Sequence, residues 1–199
     1  MFKSLSRSIF VLFTVLTITA CSSGGVKRIS TDEEVALSDR WNDTDSRLVA
    51  EAMMGEMLTF PWYRQYKVEH DGNPTVIIQS IRNKSHEHIP VDTFINDIKR
   101  SFLKEGKVDF VVSGEEREDI RTEREDQEMN GAEGTTAEFG QEQGAQFALS
   151  GTINSIVDSN GDQRVTFYQV DLKLINMTTN REVWNGQKKI KKLADKGFF

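Results

Sequence analysis

The chain has 199 residues, with 25 Lys and Arg against 31 Asp and Glu, a formal charge of −6, one cysteine and three histidines. The acidic balance argues against a nucleic-acid partner, because affinity for a phosphate backbone comes from clustered cations. A lone cysteine excludes an internal disulfide, and the length supports one domain with a real core rather than two.

Residues 1–20 read as a secretion signal. Lys3 and Arg7 form a short positive head, and Ile9 to Ala20 supply an apolar stretch shorter than the ~20 residues that span a bilayer. The stretch ends in Ile18, Thr19, Ala20 and Cys21, which resembles the bacterial lipobox: a branched apolar residue, two small ones, then the cysteine. Small side chains admit the peptidase, and the thiol is the nucleophile that takes the diacylglyceryl group. Cleavage would leave Cys21 as a lipidated first residue and shift the formal charge to −8. Ser22 follows, where lipoproteins kept at the inner membrane typically carry Asp, so the expected address is the periplasmic face of the outer membrane. Acyl burial at about 0.8 kcal/mol per methylene makes three chains a lasting anchor. Residues 21–38 are small, polar and charged with scattered apolar positions, and read as a flexible tether reaching roughly 60 Å at ~3.5 Å per residue. The globular domain is expected over 39–199.

Thr44, Asp45 and Ser46 offer helix caps ahead of Leu48, Val49, Ala52, Met53, Met57 and Phe60, an apolar face that Pro61 ends or kinks. The methionines fit core packing better than an adaptable binding surface, and Trp62, Tyr63 and Tyr66 are expected to be buried beside them. After Asn73 and Pro74, the β-branched run Thr75 to Ile81 predicts a strand buried on both faces. Asp92 to Glu105 predicts a helix with Phe94, Ile95, Ile98 and Phe102 inward and Gly106 as its stop. Val108 to Val112 predicts the next strand, which completes a βαβ unit with parallel strands.

From Gly114 to Gly134 charged residues dominate, which predicts a solvated helix with Arg121 and Glu125 at neighbour spacing. Thr135 or Thr136 with Glu138 or Glu142 predicts a short helix closed by Gly144. A long strand follows from Phe147, with Leu149, Gly151 and Ile153 on one face. Asn160-Gly161 is a strong hairpin signal. Tyr168, Val170, Leu172 and Leu174 then alternate with polar residues, and a turn near Thr178 to Asn180 leads into Val183 to Ile190. The expected fold is α/β (α+β): a mixed β-sheet of about four to five strands flanked by helices, one βαβ unit followed by an antiparallel meander. The lysines at 188, 189, 191, 192 and 196 give the chain a basic end that protects an edge strand.

Several strings resemble one family. Trp41 to Arg47 (WNDTDSR), Arg82 to Ile89 (RNKSHEHI), Gly151 to Ile156 (GTINSI), Phe167 to Leu172 (FYQVDL) and Val183 to Lys192 (VWNGQKKIKK) are similar to the LpoB-type activators of penicillin-binding proteins. The resemblance implies an outer-membrane lipoprotein that docks on an accessory domain of a bifunctional peptidoglycan synthase and stimulates glycan polymerisation and cross-linking allosterically. It also implies no enzyme activity, no cofactor and no small-molecule substrate. One departure is that the best-known members carry a long Pro-rich tether, whereas this chain has three prolines.

His86 and His88 flank Glu87, and two imidazoles two residues apart can ligate zinc, but no third ligand stands at motif spacing. No Ser, His and Asp arrangement occurs in a recognisable context. The loop Asn83, Lys84, Ser85, His86, Glu87 and His88 is the chosen partner contact, because polar loops on a rigid sheet carry recognition. A rival reading is a subunit of a lipoprotein assembly or secretion complex related to the curli secretion channel. That reading would need further long alternating strands for a barrel wall.

Overall fold

The computed structural model describes residues 26–31 and 33–195, so the signal segment, Cys21 and Lys196 lie outside the described residues. The chain divides into two units at Glu33/Glu34. The described part of the first, 26–31 and 33, holds no helix or strand. Its Glu33 amide donates to the Ser30 carbonyl at 3.2 Å. All that follows concerns the second unit.

Helix α1 spans Asp43–Thr59 and α2 spans Pro61–Glu69. The N-cap of α1 is Asn42, one turn ahead of the residues offered as caps: Asn42 Oδ1 accepts from the Asp45 amide and Asp45 Oδ2 accepts from the Asn42 amide, both at 2.9 Å. Asn42→Ala is expected to cost about 1 kcal/mol, read as a lower midpoint in chemical denaturation. Pro61 both ends α1 and starts α2, where its fixed φ and missing N–H suit the first helical position. The buried face of α1 is Val49, Ala50, Met53, Met54 and Met57, while Leu48 is 40% exposed and Ala52 is exposed. The stripe is therefore turned from the one expected, because the polar pair Asp45 and Ser46 also faces inward to meet partners. Ser46 Oγ donates to Asp97 Oδ2 at 2.7 Å. Trp62 and Tyr66 are buried against Phe147, with ring centroids 5.0 and 5.9 Å from it.

The sheet comprises β1 (Thr75–Lys84), β2 (Asp109–Phe110), β3 (Phe147–Asn160), β4 (Gln163–Asn176) and β5 (Arg181–Asp195), in the spatial order β2-β1-β3-β4-β5. Helices α3 (Val91–Glu105) and α4 (Glu115–Asn130) complete the described elements. β1, α3 and β2 form the βαβ unit with parallel pairing. β1 also runs parallel to β3, and β3, β4 and β5 form the antiparallel meander. The mixed α+β architecture is thus the expected one. Gly106, at φ 64°, closes α3. The hairpin turn between β3 and β4 is Gly161-Asp162, with Asn160 paired to Gln163 and Gly161 at φ 57°, which is the pattern of a type II′ turn.

Cross-strand partners share a face, so the register sorts the sheet into two sides. Inward rows are Leu149–Leu174–Trp184, Gly151–Leu172–Gly186, Ile153–Val170–Lys188 and Ser155–Tyr168–Ile190. Val76, Ile78 and Ile81 of β1 are buried with Phe94, Ile98 and Phe102 of α3 and the methionines of α1 in one core cluster. The outward rows are mostly polar. β1 is therefore covered on one face for most of its length: Gln79, Ser80 and Arg82 are exposed, which corrects the expectation of a strand buried on both faces. A bulge between Ile78 and Ser80 restores the alternation.

Two further expectations change. Residues 131–146 form turns and coil rather than a short helix, because the segment holds Gly131, Gly134, Gly140 and Gly144, too many glycines for so short a helix. Helix α4 buries nothing, as expected of a solvated helix, but Arg121 pairs with Glu118 (2.8 Å) and Glu142 (3.0 Å) rather than with Glu125.

Candidate functional site

The stretch chosen from sequence comprises the last two residues of β1, Asn83 and Lys84, and the first four of the connection to α3. Its residues alternate in role. Asn83 Nδ2 donates to the Glu87 carbonyl at 2.7 Å, the Ser85 amide donates to Asn83 Oδ1 at 2.9 Å, and Ser85 Oγ donates to the Glu87 carbonyl at 3.0 Å. Asn83, Ser85 and Glu87 are half-buried, whereas Lys84, His86 and His88 are exposed. Among the described residues no group of three or more His, Cys, Asp or Glu is placed to hold a metal ion.

Glu87 reaches inward. Its Oε1 accepts from the Trp41 amide at 3.0 Å and from the Tyr168 hydroxyl. Tyr168 Oη also lies 3.1 Å from the Asp39 carbonyl. Burial first, and then the Glu87 carboxylate, hold the Tyr168 phenol well above its ordinary range, so it is a neutral donor. Asp39 Oδ2 accepts from Thr166 Oγ1 and lies 2.9 Å from Arg164 Nε. That second approach is ionic rather than hydrogen-bonded, since the buried Nε–H is not aligned with an acceptor. Lys192 Nζ meets the Arg40 carbonyl at 2.8 Å and Asp45 Oδ2 at 2.5 Å. Trp41 packs edge-on against Phe94 and Tyr168, with centroids 6.1 and 5.6 Å away.

Outside this layer, Arg164 Nη2 donates to His86 Nε2 at 3.2 Å, which in the neutral ring leaves Nδ1–H to donate to Ser155 Oγ at 2.6 Å. The site is thus a clasp. Residues 39–42, where the chain enters the domain, are laid over the polar end of the inner face and tied to β4, β5 and the 83–88 loop. Sequence reasoning selected Glu87 but missed Asp39, Thr166, Tyr168 and Lys192. The tyrosine breaking an aliphatic alternation on β4 was the available signal.

The hydrogen bond from Thr166 first, opposed by burial and reinforced by Arg164, holds the Asp39 carboxyl below the usual carboxylate range. A lowered folded-state value contributes stability that is present above the unfolded value and is lost as pH falls through the folded one. Asp39→Asn is therefore expected to lower the thermal midpoint at pH 7, with the gap to the parent closing below about pH 4. A gap that stays constant from pH 7 to pH 3 contradicts the clasp assignment.

The sequence profile described as "Peptidoglycan-synthase activator LpoB" matches residues 45–190. The chain belongs to the LpoB family. The match begins inside the α1 capping box, runs through β1 to β4 and ends within β5 at Ile190. Among solved structures, the LpoB C-terminal domains of Salmonella enterica and Escherichia coli are each 12% identical, with a TM-score of 0.44 over 74% of this chain and 99% of theirs. The PelC dodecamer from Paraburkholderia phytofirmans is 13% identical, with a TM-score of 0.33 over 61% of this chain and 72% of that one. No curated protein sequence matches. LpoB-family proteins are lipoprotein activators of peptidoglycan synthases.

Proposed function

We propose that this LpoB-family chain is an outer-membrane lipoprotein, anchored through acylated Cys21, that docks its domain on a bifunctional peptidoglycan synthase and shifts it toward its active arrangement. The observation that carries the reading is the family match over 45–190, which takes in β1 to β4, most of β5 and the core helices from Asp45 onward. It is supported by the lipobox-like string ending at Cys21 and by Ser22 after it. The shift in the synthase is limited to the difference in affinity between its two states. Within the domain, Lys84, His86 and His88 form the contact edge, since all three are exposed on a loop whose shape is fixed by Asn83, Ser85 and Glu87 and by the bonds of His86 to Ser155 and Arg164. Residues 21–38 form the tether, and it ends where the clasp begins.

The test is capture of the bifunctional synthases of the same cell on the full chain, followed by a glycan polymerisation assay. Binding of one synthase and a faster rate are expected, with both reduced by Lys84→Glu combined with His88→Ala. Absence of binding and of any rate change with every synthase removes the reading. Cys21→Ala is expected to leave the protein unacylated and off the membrane in fractionation.

A further inference from the structure

The outward face of the sheet carries a second feature. β1, β3 and β4 place Ser80, Ser150 and Lys173 in one cross-strand row and Arg82, Thr152 and Asp171 in the next. These six line a shallow cleft of about 520 Å³. Asp171 is already engaged: its carboxylate accepts from Gln169 Nε2 and Gln187 Nε2, each at 2.8 Å, and from Asn154 Nδ2 at 3.4 Å. Arg82 and Lys173 have no carboxylate partner among the described residues. They stand two strands and one row apart, about 12 Å, on either side of β3. The cleft is also lined by Glu182, which accepts from Asn185 Nδ2 at 2.8 Å, so its own charges balance; the excess of cations on this face comes from Lys84, Lys189 and Lys191 further along the strands, and together they form a place for an extended anion that also offers hydroxyl or amide groups.

The same face continues along the strands. The next rows are Lys84–Asn154–Gln169–Lys189 and Ile156–Phe167–Lys191, so cations, hydroxyls, amides and then the half-buried Phe167 ring follow one another over about 20 Å at ~3.4 Å per residue. A simple ion uses only the first part of this track. A linear polymer of amino sugars bearing carboxylates uses all of it: carboxylates at Arg82 and Lys173, hydroxyl and acetamido groups at the serine, threonine and amide side chains, and the apolar side of a sugar ring on Phe167. All of these groups sit on hydrogen-bonded strands, so the ordering cost of binding is confined to their side chains.

We propose that this outward face is a binding site for an anionic glycan strand, meeting the contact loop only at Lys84, and that its Arg82 and Lys173 end does not require the synthase contact. The probe is purified peptidoglycan sacculi freed of bound protein, mixed with the full chain in detergent and sedimented. The wild-type protein is expected to sediment with the sacculi and to be released by soluble glycan strands carrying carboxylates but not by neutral chitin oligosaccharides. Arg82→Glu with Lys173→Glu is expected to weaken binding about tenfold or more, and Ser80→Asp, which adds one negative charge to the floor, to weaken it in the same direction. Both variants change exposed positions, and unchanged circular dichroism establishes that they are folded. Their stimulation of synthase on soluble precursor is expected to persist, which separates this site from the activator reading. The proposal is overturned if the wild-type protein stays in the supernatant, if the variants sediment equally well, or if only phosphatidylglycerol micelles compete.

Discussion

Gly151→Ala is expected to abolish the folded domain or to cost more than about 3 kcal/mol, the upper end of the range for overpacking. A β-carbon at this position would sit 2.3 Å from the Asp171 carbonyl oxygen and 2.4 Å from Leu172 Cδ2. The backbone oxygen cannot move aside by a rotamer change, because β4 is fixed between β3 and β5 along its whole length. The sheet itself would have to open at its centre. Gly55→Ala is the matched control: its β-carbon meets nothing within 4 Å on α1, so it is expected to stabilise by about 0.5–1 kcal/mol through helix propensity. Denaturant titration of the two variants checks both signs. A Gly151→Ala protein as stable as the parent would contradict the packing of β3 on β4.

Phe94→Ala should lower stability by about 3–5 kcal/mol, the usual cost of removing a wholly buried phenyl ring. Phe94 is 0% exposed and lies in the cluster with Ile98 and Phe102 on α3, and its ring is also the surface against which Trp41 packs edge-on. The cavity therefore opens beneath the clasp as well as beneath the helix. For a domain of this size the loss corresponds to a fall in thermal midpoint of roughly 6–20 °C. Calorimetry gives the midpoint, and quenching of Trp41 fluorescence in a background lacking the other two tryptophans reports whether the clasp has loosened. Leu48→Ala is expected to change the midpoint little, since that side chain is 40% exposed, although it lies on the face of α1 that the sequence pattern placed inward.

What the sequence by itself determined was set by local physics. Helical spacing of Phe94, Ile98 and Phe102 with Gly106 behind them, alternation along 168–174 and the Asn-Gly signal at 160–161 fixed α3, β4 and the hairpin, because each rests on neighbours a few residues apart. The 135–142 segment misled for the same reason: its capping residue types are a local signal, but the glycines at 131, 134, 140 and 144 in and around it lower helix propensity below what so short a helix needs. The rotated face of α1 and the one-sided cover of β1 were decided by which helix lies on which side of the sheet. The candidate loop was legible as a polar stretch, yet its division into inward Glu87 and outward Lys84, His86 and His88 was not. That division exists only because Asp39, Trp41, Tyr168 and Lys192, separated by up to about 150 positions in the chain, converge on one end of the sheet. No periodicity in the sequence encodes such a meeting. It follows from strand register, which places Tyr168 and Thr166 two residues apart on the same face where the apolar core ends and buried polar groups must find one another.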